Sequence, residues 1–273
     1  MKLYAISDLH VGQPDNRAAL QTLPRHPDDW LIVAGDIGDT VEQITWALDL
    51  LVSRFAQVLW TPGNHDLWTL PRPGFPALAG EALYRHLVEI CRQRGVLTPE
   101  DPFVRWPGPG GAYVLAPTFT LYDYSFRPDH IAVDQAVQWA EEAGIVCTDE
   151  HLLHPTPYPS RAAWCRQRCA YTEARLDTLV PADPIVLINH YPLHQDHARL
   201  PLIPRFMPWC GTRLTEHWPR RFNIQVVVHG HLHIRNTIYR DGVRFEEVSL
   251  GYPRQWDRHR PLTSYLREIL PGQ

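Results

Sequence analysis

The chain has a single lysine, Lys2, among 26 basic residues. Nearly all of its positive charge is therefore arginine, permanently ionised and able to grip a carboxylate or phosphate with two donors. It lacks any apolar run approaching the ~18 residues that a membrane span needs. Its opening, MKLYAISDLH, meets an aspartate and a histidine too early for a signal peptide. No membrane partner is expected. There is no CxxC pair, and the five cysteines are an odd number, which argues against a disulfide framework and for a reducing, cytoplasmic compartment. Cys165 and Cys169, four apart on a predicted helix, are read as packed thiols rather than half of a metal site. Neither sign of charge dominates: the net formal charge is −4, so nothing draws the whole chain to nucleic acid, and none is expected as a partner. Oligomeric state is not legible.

What is present is an ordinary soluble composition with one departure. Apolar residues make up 44% of the 273, enough for one large domain or two small ones. Proline reaches 26 residues, about twice the usual ~5%, so long stretches must be irregular. Residues 2–6, 30–34, 56–60, 184–189 and 225–229 are short β-branched apolar runs, the pattern of strands buried on both faces. Between the second and third lies a helix with a capping-box signature at Thr40 and Gln43 and an apolar stripe of Ile44, Leu48, Leu51 and Phe55. Further helices are predicted over 80–94, stopped by Gly95, and over 160–179, starting at Ser160. Residues 234–240 and 243–249, joined by Asp241-Gly242, read as a hairpin on a type I′ turn. The class is α/β. The proline-rich stretch 98–160 reads as an elaboration between two halves of a sheet, and 191–221 as a variable segment.

Each apolar run ends in a polar cluster. Asp8 and His10 follow the first, Gly35-Asp36-Ile37-Gly38-Asp39 the second, and Gly63-Asn64-His65-Asp66 the third; Asn189-His190 and Gly230-His231-Leu232-His233 close the last two. In an open α/β sheet the carboxyl ends of the strands share one rim, so these clusters are expected to meet. Carboxylate, imidazole and carboxamide together suit divalent transition metals, and the want of cysteine disfavours a structural zinc knot. Any one cluster has a bland reading as a loop or core residue; five at five strand ends do not. Gly35, Gly63 and Gly230 each precede a candidate ligand, as a backbone passing close to an ion requires.

The order D-x-H, G-D-x-x-D, G-N-H-D, H, G-H-x-H resembles the calcineurin-like metallophosphoesterase superfamily. The resemblance implies a single domain over 1–273: a two-sheet β-sandwich flanked by helices, with two divalent metal ions at the strand ends. Manganese is the first expectation for both, with iron or zinc as alternatives. It places Asp8, His10, Asp36 and His233 on one ion and Asp36, Asn64, His190 and His231 on the other. His65 would meet the phosphate and assist the leaving group, with Asp66 beside it to orient or charge the ring. Asp39 and His229 are read as supporting or packing residues. The phrases at 149–168, 208–212 and 241–256 resemble the phosphopantetheinyl hydrolase branch of that superfamily, which implies an acidic acyl carrier protein as substrate. Arginines crowd 161–175 (Arg161, Arg166, Arg168, Arg175) and 191–221 (Arg199, Arg205, Arg213, Arg220, Arg221), a pattern that suits such a partner. Solvated, internally paired helix faces are the plain alternative. A small-molecule phosphodiesterase or phosphatase, for instance of cyclic nucleotides, is the other enzymatic reading, and an inactive protein-binding scaffold a third. Trp106, Trp209, Trp218 and Trp256 are candidates to line a substrate channel, although with ten tryptophans in the chain core packing is the first expectation for most.

Overall fold

The computed structural model describes residues 1–70 and 78–272. Strands β1 (Leu3–Ile6), β2 (His26–Val33) and β3 (Phe55–Trp60) run parallel. Six more, β4 (Val104–Arg105), β5 (Val114–Pro117), β6 (Ile185–Ile188), β7 (Ile224–His229), β8 (Asn236–Arg240) and β9 (Val243–Glu247), make a second sheet in the order β4-β5-β6-β7-β9-β8. β10 (Arg267–Leu270) returns to the first sheet, antiparallel to β1, giving the order β10-β1-β2-β3. The pattern of apolar runs alone suggested one sheet with an insertion; the structure divides its halves between two. Moreover, β4 and β5 both fall inside 98–160, so that stretch supplies two strands of the second sheet as well as loops.

Alternation along each strand explains both the apolar runs and the layers. Leu3, Ala5, Ile32, Leu59, Val186, Ile188, Val226 and Val228 form one cluster between the sheets. The intervening Ile6, Leu31, Val33, Ile185, Leu187 and Val227 belong to the larger cluster that includes the helices. Successive side chains thus enter different apolar layers, and neither face tolerates a polar residue. The helices are α1 (Pro14–Gln21), α2 (Val41–Val52), α3 (Gly80–Arg92), α4 (Ala136–Glu141), α5 (Asp149–Leu152), α6 (Arg161–Leu176) and α7 (Trp218–Arg221). Thr40 caps α2 by accepting from Gln43 N at 3.3 Å, and Ser160 caps α6 by accepting from Ala163 N at 3.1 Å; each such cap contributes about 1 kcal/mol. The capping box of α2 is altered, because the Gln43 carbonyl accepts from Asp39 N rather than Thr40 N. The β8–β9 hairpin turns on Asp241 (φ 52°) and Gly242 (φ 82°), both left-handed as type I′ demands.

The sheets touch where the candidate site lies. Ser7, just past β1, bridges Ser249, just past β9: Ser7 N donates to Val248 O and Leu250 N to Ser7 O. All the parallel strands therefore end on a common rim. Among the described residues no helix is long and apolar enough to cross a membrane.

Candidate metal centre

The polar clusters meet on this rim. Ligand atoms of Asp8, His10 and His233 lie within 4.8 Å of one another, and so do those of Asp36, His190 and His231. In the first group His233 Nε2 stands 3.0 Å from Asp8 Oδ1 and 3.2 Å from His10 Nε2. In the second, Asn64 Oδ1 lies 3.2 Å from both His190 Nε2 and His231 Nδ1, and His190 Nε2 is 3.5 Å from Asp36 Oδ2. A ring nitrogen of His65 also groups with His10 and Asp36.

Hydrogen bonds behind these atoms fix which face each ligand presents. His190 Nδ1 meets Ala34 O at 2.8 Å and His233 Nδ1 meets Gln255 Oε1 at 2.7 Å, so both rings turn Nε2 inward. Asp8 Oδ2 accepts from the hydroxyls of Ser7 and Ser249 (2.5 and 2.7 Å) and from His231 N (3.0 Å), leaving Oδ1 free to face the imidazoles. Asn64 donates its amide to Asp149 Oδ1 at 3.0 Å, and Trp68 Nε1 donates to the same oxygen at 2.7 Å. The Asn64 carbonyl oxygen is thereby aimed at His190 and His231. Asp149 was not among the residues read from sequence; it lies in a proline-rich stretch read as loop.

The backbone is held at disfavoured angles in the same place. Asp8, His10, Asp36, His231 and His233 have φ of 52°, 41°, 54°, 72° and 55°, each costing about 1–3 kcal/mol where no glycine relieves it. Two glycines give the closest approach: a side-chain carbon at Gly63 would strike Asp36, and one at Gly230 would strike Ser7 and Asp8.

The donor set fits divalent cations. Burial, then the carboxylates of Asp8 and Asp66, push the Asp36 carboxyl well above its ordinary 3.8, a placement that a bound cation reverses. Burial also holds His10, His190 and His231 below their ordinary range, in the neutral form that ligates. His231 Nε2 is buried with no hydrogen-bond partner. The three imidazoles and Asn64 around Asp36 therefore offer lone pairs to a cation, while Asp36 Oδ1 also accepts from His65 N at 2.9 Å.

His65 is fixed by other residues than its neighbour in sequence. Its Nδ1 meets Asp39 Oδ1 at 2.7 Å, and Trp68 packs on the ring at 3.6 Å between centroids. The role expected of Asp66 is corrected here. Asp66 Oδ1 accepts from Ile37 N and Gly38 N, and Oδ2 from Asp36 N, Gly63 N and Trp60 Nε1, at 2.8–3.3 Å. It ties the second strand-end loop to the third. Adjacent residues of this short 3₁₀ turn point different ways, so Asp66 cannot orient the ring that precedes it. Tyr252, unnoticed in the sequence as a site residue, stacks on His10 at 4.5 Å and meets His233 edge-on at 5.1 Å.

For these four tryptophans core packing, and not a channel lining, is what the structure shows. Trp106, Trp209, Trp218 and Trp256 are all buried, with indole N–H groups donated to Pro109 O, Glu150, Glu173 and Asn16 respectively. All the arginines of the two arginine-rich segments except the exposed Arg166 are likewise engaged by other groups of the chain. Arg168 is buried against Glu100 at 2.7 Å, and Arg161 holds Glu150 and the carbonyls of Asp149 and Leu153. Arg175 holds carbonyls of Pro99 and Asp101, and Arg205 that of Trp139. Arg199, Arg213, Arg220 and Arg221 pair with Asp196, Asp129, Asp241 and Asp177.

Residues 1–235 match the calcineurin-like phosphoesterase family. The chain belongs to that family. It is 49% identical, over 98% of its own length and 83% of the other's, to the [acyl-carrier-protein] phosphodiesterase PptH of Mycobacterium tuberculosis. The crystal structure of phosphopantetheinyl hydrolase PptH from that organism superimposes with a TM-score of 0.94, covering 99% of this chain and 96% of that one. A dimetal phosphatase from Danio rerio, 14% identical, shares the fold at a TM-score of 0.50 over 95% of this chain and 90% of its own. This phosphoesterase therefore has the two-sheet, helix-flanked architecture of its family, and its family implies divalent metal ions.

Proposed function

We propose that this phosphoesterase is a binuclear metal-dependent phosphodiester hydrolase that releases 4′-phosphopantetheine from the serine of holo acyl carrier protein. The observation that supports this substrate is the 49% identity to the mycobacterial phosphodiesterase across nearly the whole chain. In this reading Asp8, His10, Asp36 and His233 hold one ion, and Asp36, Asn64, His190 and His231 the other, with Asp36 shared. Manganese is proposed first, with iron or zinc as alternatives that the same donors accept. Bound ions would supply an activated water and offset charge on the phosphoryl oxygens.

The chain's own part is proton delivery. Hydrolysis breaks the bond from phosphorus to the serine oxygen, the oxygen of water replaces it, and the departing serine oxygen needs a proton. His65 supplies it, with Asp39 on Nδ1 and Trp68 on the ring face keeping the imidazole in one orientation. The cysteines are free and buried, in keeping with a reducing cytoplasmic compartment.

Holo carrier protein incubated with this enzyme and manganese should lose the mass of the prosthetic group. Metal-free enzyme and His65→Ala should leave it intact. An unchanged carrier protein together with fast turnover of a small phosphodiester would instead make the enzyme a small-molecule phosphodiesterase.

A further inference from the structure

With all but Arg166 of the arginines in those two segments engaged by other groups of the chain, positive charge collects on another part of the surface. Two open grooves of about 480 and about 600 Å³ share Arg260 in their walls. Arg258 lines the smaller, and Arg235, Arg244 and Arg267 line the larger. Arg260 is exposed and has no carboxylate partner among the described residues, only the face of Tyr265 at 5.4 Å. Arg244 and Arg267 share one carboxylate, Glu246, each at 3.4 Å, and the Nε atoms of both lack a hydrogen-bond partner. The Arg235 guanidinium rests on the carbonyls of Val248, Ser249 and Tyr265, which fix its position without neutralising it. The opposing acids are few. Glu268 is taken by Lys2 at 2.7 Å, Asp15 by Arg258, and Asp257 accepts from His259 N. In a chain of net charge −4, this face carries a local excess of fixed positive charge.

The face is joined to the metal centre. Trp256, in the wall of the smaller groove, donates to Asn16 Oδ1 at 3.0 Å, and the Asn16 amide donates to the carbonyls of Leu9 and Gly251. Those residues precede His10 and Tyr252, whose rings are stacked. Exposed Arg254 stands between Tyr252 and the Gln255 that fixes His233. A basic strip thus runs from the rim of the site through 254–260 to the larger groove.

We infer that this arginine-lined face is the docking surface for an acidic partner protein; resting on the function proposed above, that partner is the carrier protein itself. Charge spread along open grooves, rather than focused in one closed pocket, suits an extended acidic helix better than a compact phosphate.

The test is the double variant Arg258→Glu, Arg260→Glu, both exposed side chains away from the buried Glu246, checked by its melting temperature and by turnover of a small phosphodiester, both of which should match wild type. Its KM for holo carrier protein should rise about tenfold or more with kcat little changed, and the wild-type dependence of KM on salt should flatten. A KM within twofold of wild type, when wild type cleaves the carrier protein, overturns the surface and leaves the substrate standing. If wild type releases nothing, the substrate assignment is wrong, and anisotropy with labelled apo carrier protein decides the surface alone. Tenfold weaker binding by the variant upholds it; equal binding, or none by either protein, overturns it. Pyrophosphate binding abolished by the variant while the carrier KM stays put would assign the grooves to a small polyanion, which also overturns the docking reading. Should the double variant melt early, the single change Arg260→Glu, which has no carboxylate partner among the described residues, replaces it, with about a threefold rise in KM expected.

Discussion

One imidazole among many is set apart by what holds it. His65 has a carboxylate on Nδ1 and an indole against its ring, whereas the rings of His190 and His233 are turned by a backbone carbonyl and a carboxamide. Replacing Asp39 by Asn should therefore lower kcat about 10- to 100-fold while metal content, read by elemental mass spectrometry, stays at the wild-type level. Loss of metal in that variant would show that Asp39 serves the loops and not the ring. The candidate ligands were legible because each follows a strand that reads plainly as apolar. Asp149 was not, since the Asn64 that it orients is 85 positions away and only the fold joins them. Asp66 was misread for the opposite reason: nearness in sequence to His65 stood in for nearness in space.

At the scale of elements, one acidic side chain ties the loop between α3 and β4 to two helices. Glu100 accepts from Tyr84 and Arg85 of α3 and from Arg168 and Tyr171 of α6, at 2.7–3.0 Å. Burial alone would raise its pKa; the Arg168 guanidinium and the other donors outweigh it and hold the group at about 2, against an ordinary 4.5. A depressed carboxyl stabilises the fold above its unfolded value. The contribution should thus be whole above about pH 4.5 and be lost as pH falls toward 2. In Glu100→Gln that acid limb should flatten in thermal melts, and stability at neutral pH should drop by about 3–5 kcal/mol, because Arg168 is left buried and unpaired. Helices α2 and α6 were readable from their caps, and the five inner strands from unbroken apolar runs. The two-sheet division was not readable from those runs, since both faces of every inner strand are apolar and a layer between sheets looks the same as a layer under helices. β10 escaped notice because its Arg267 and Glu268 are half-exposed polar residues at a sheet edge.

For the molecule as a whole, ions held as proposed would also clasp the two sheets together, since Asp8, His10 and Asp36 follow strands of one and His190, His231 and His233 follow strands of the other. Manganese should accordingly raise the melting temperature by several degrees, following about 2.7 kcal/mol at a hundredfold excess over Kd, and chelation should reverse the shift. His65→Ala should keep that response and His231→Ala should lose most of it; equal shifts in both would place the bound ion elsewhere. The Asp8 carboxylate is gripped by Ser249, and β1 is flanked by β10. On the proposed ligand set, a nascent chain would thus carry its earliest ligand long before Ser249 and β10 exist to hold it, and a product cut short before residue 249 should bind the ion on Asp8 more weakly than the whole chain.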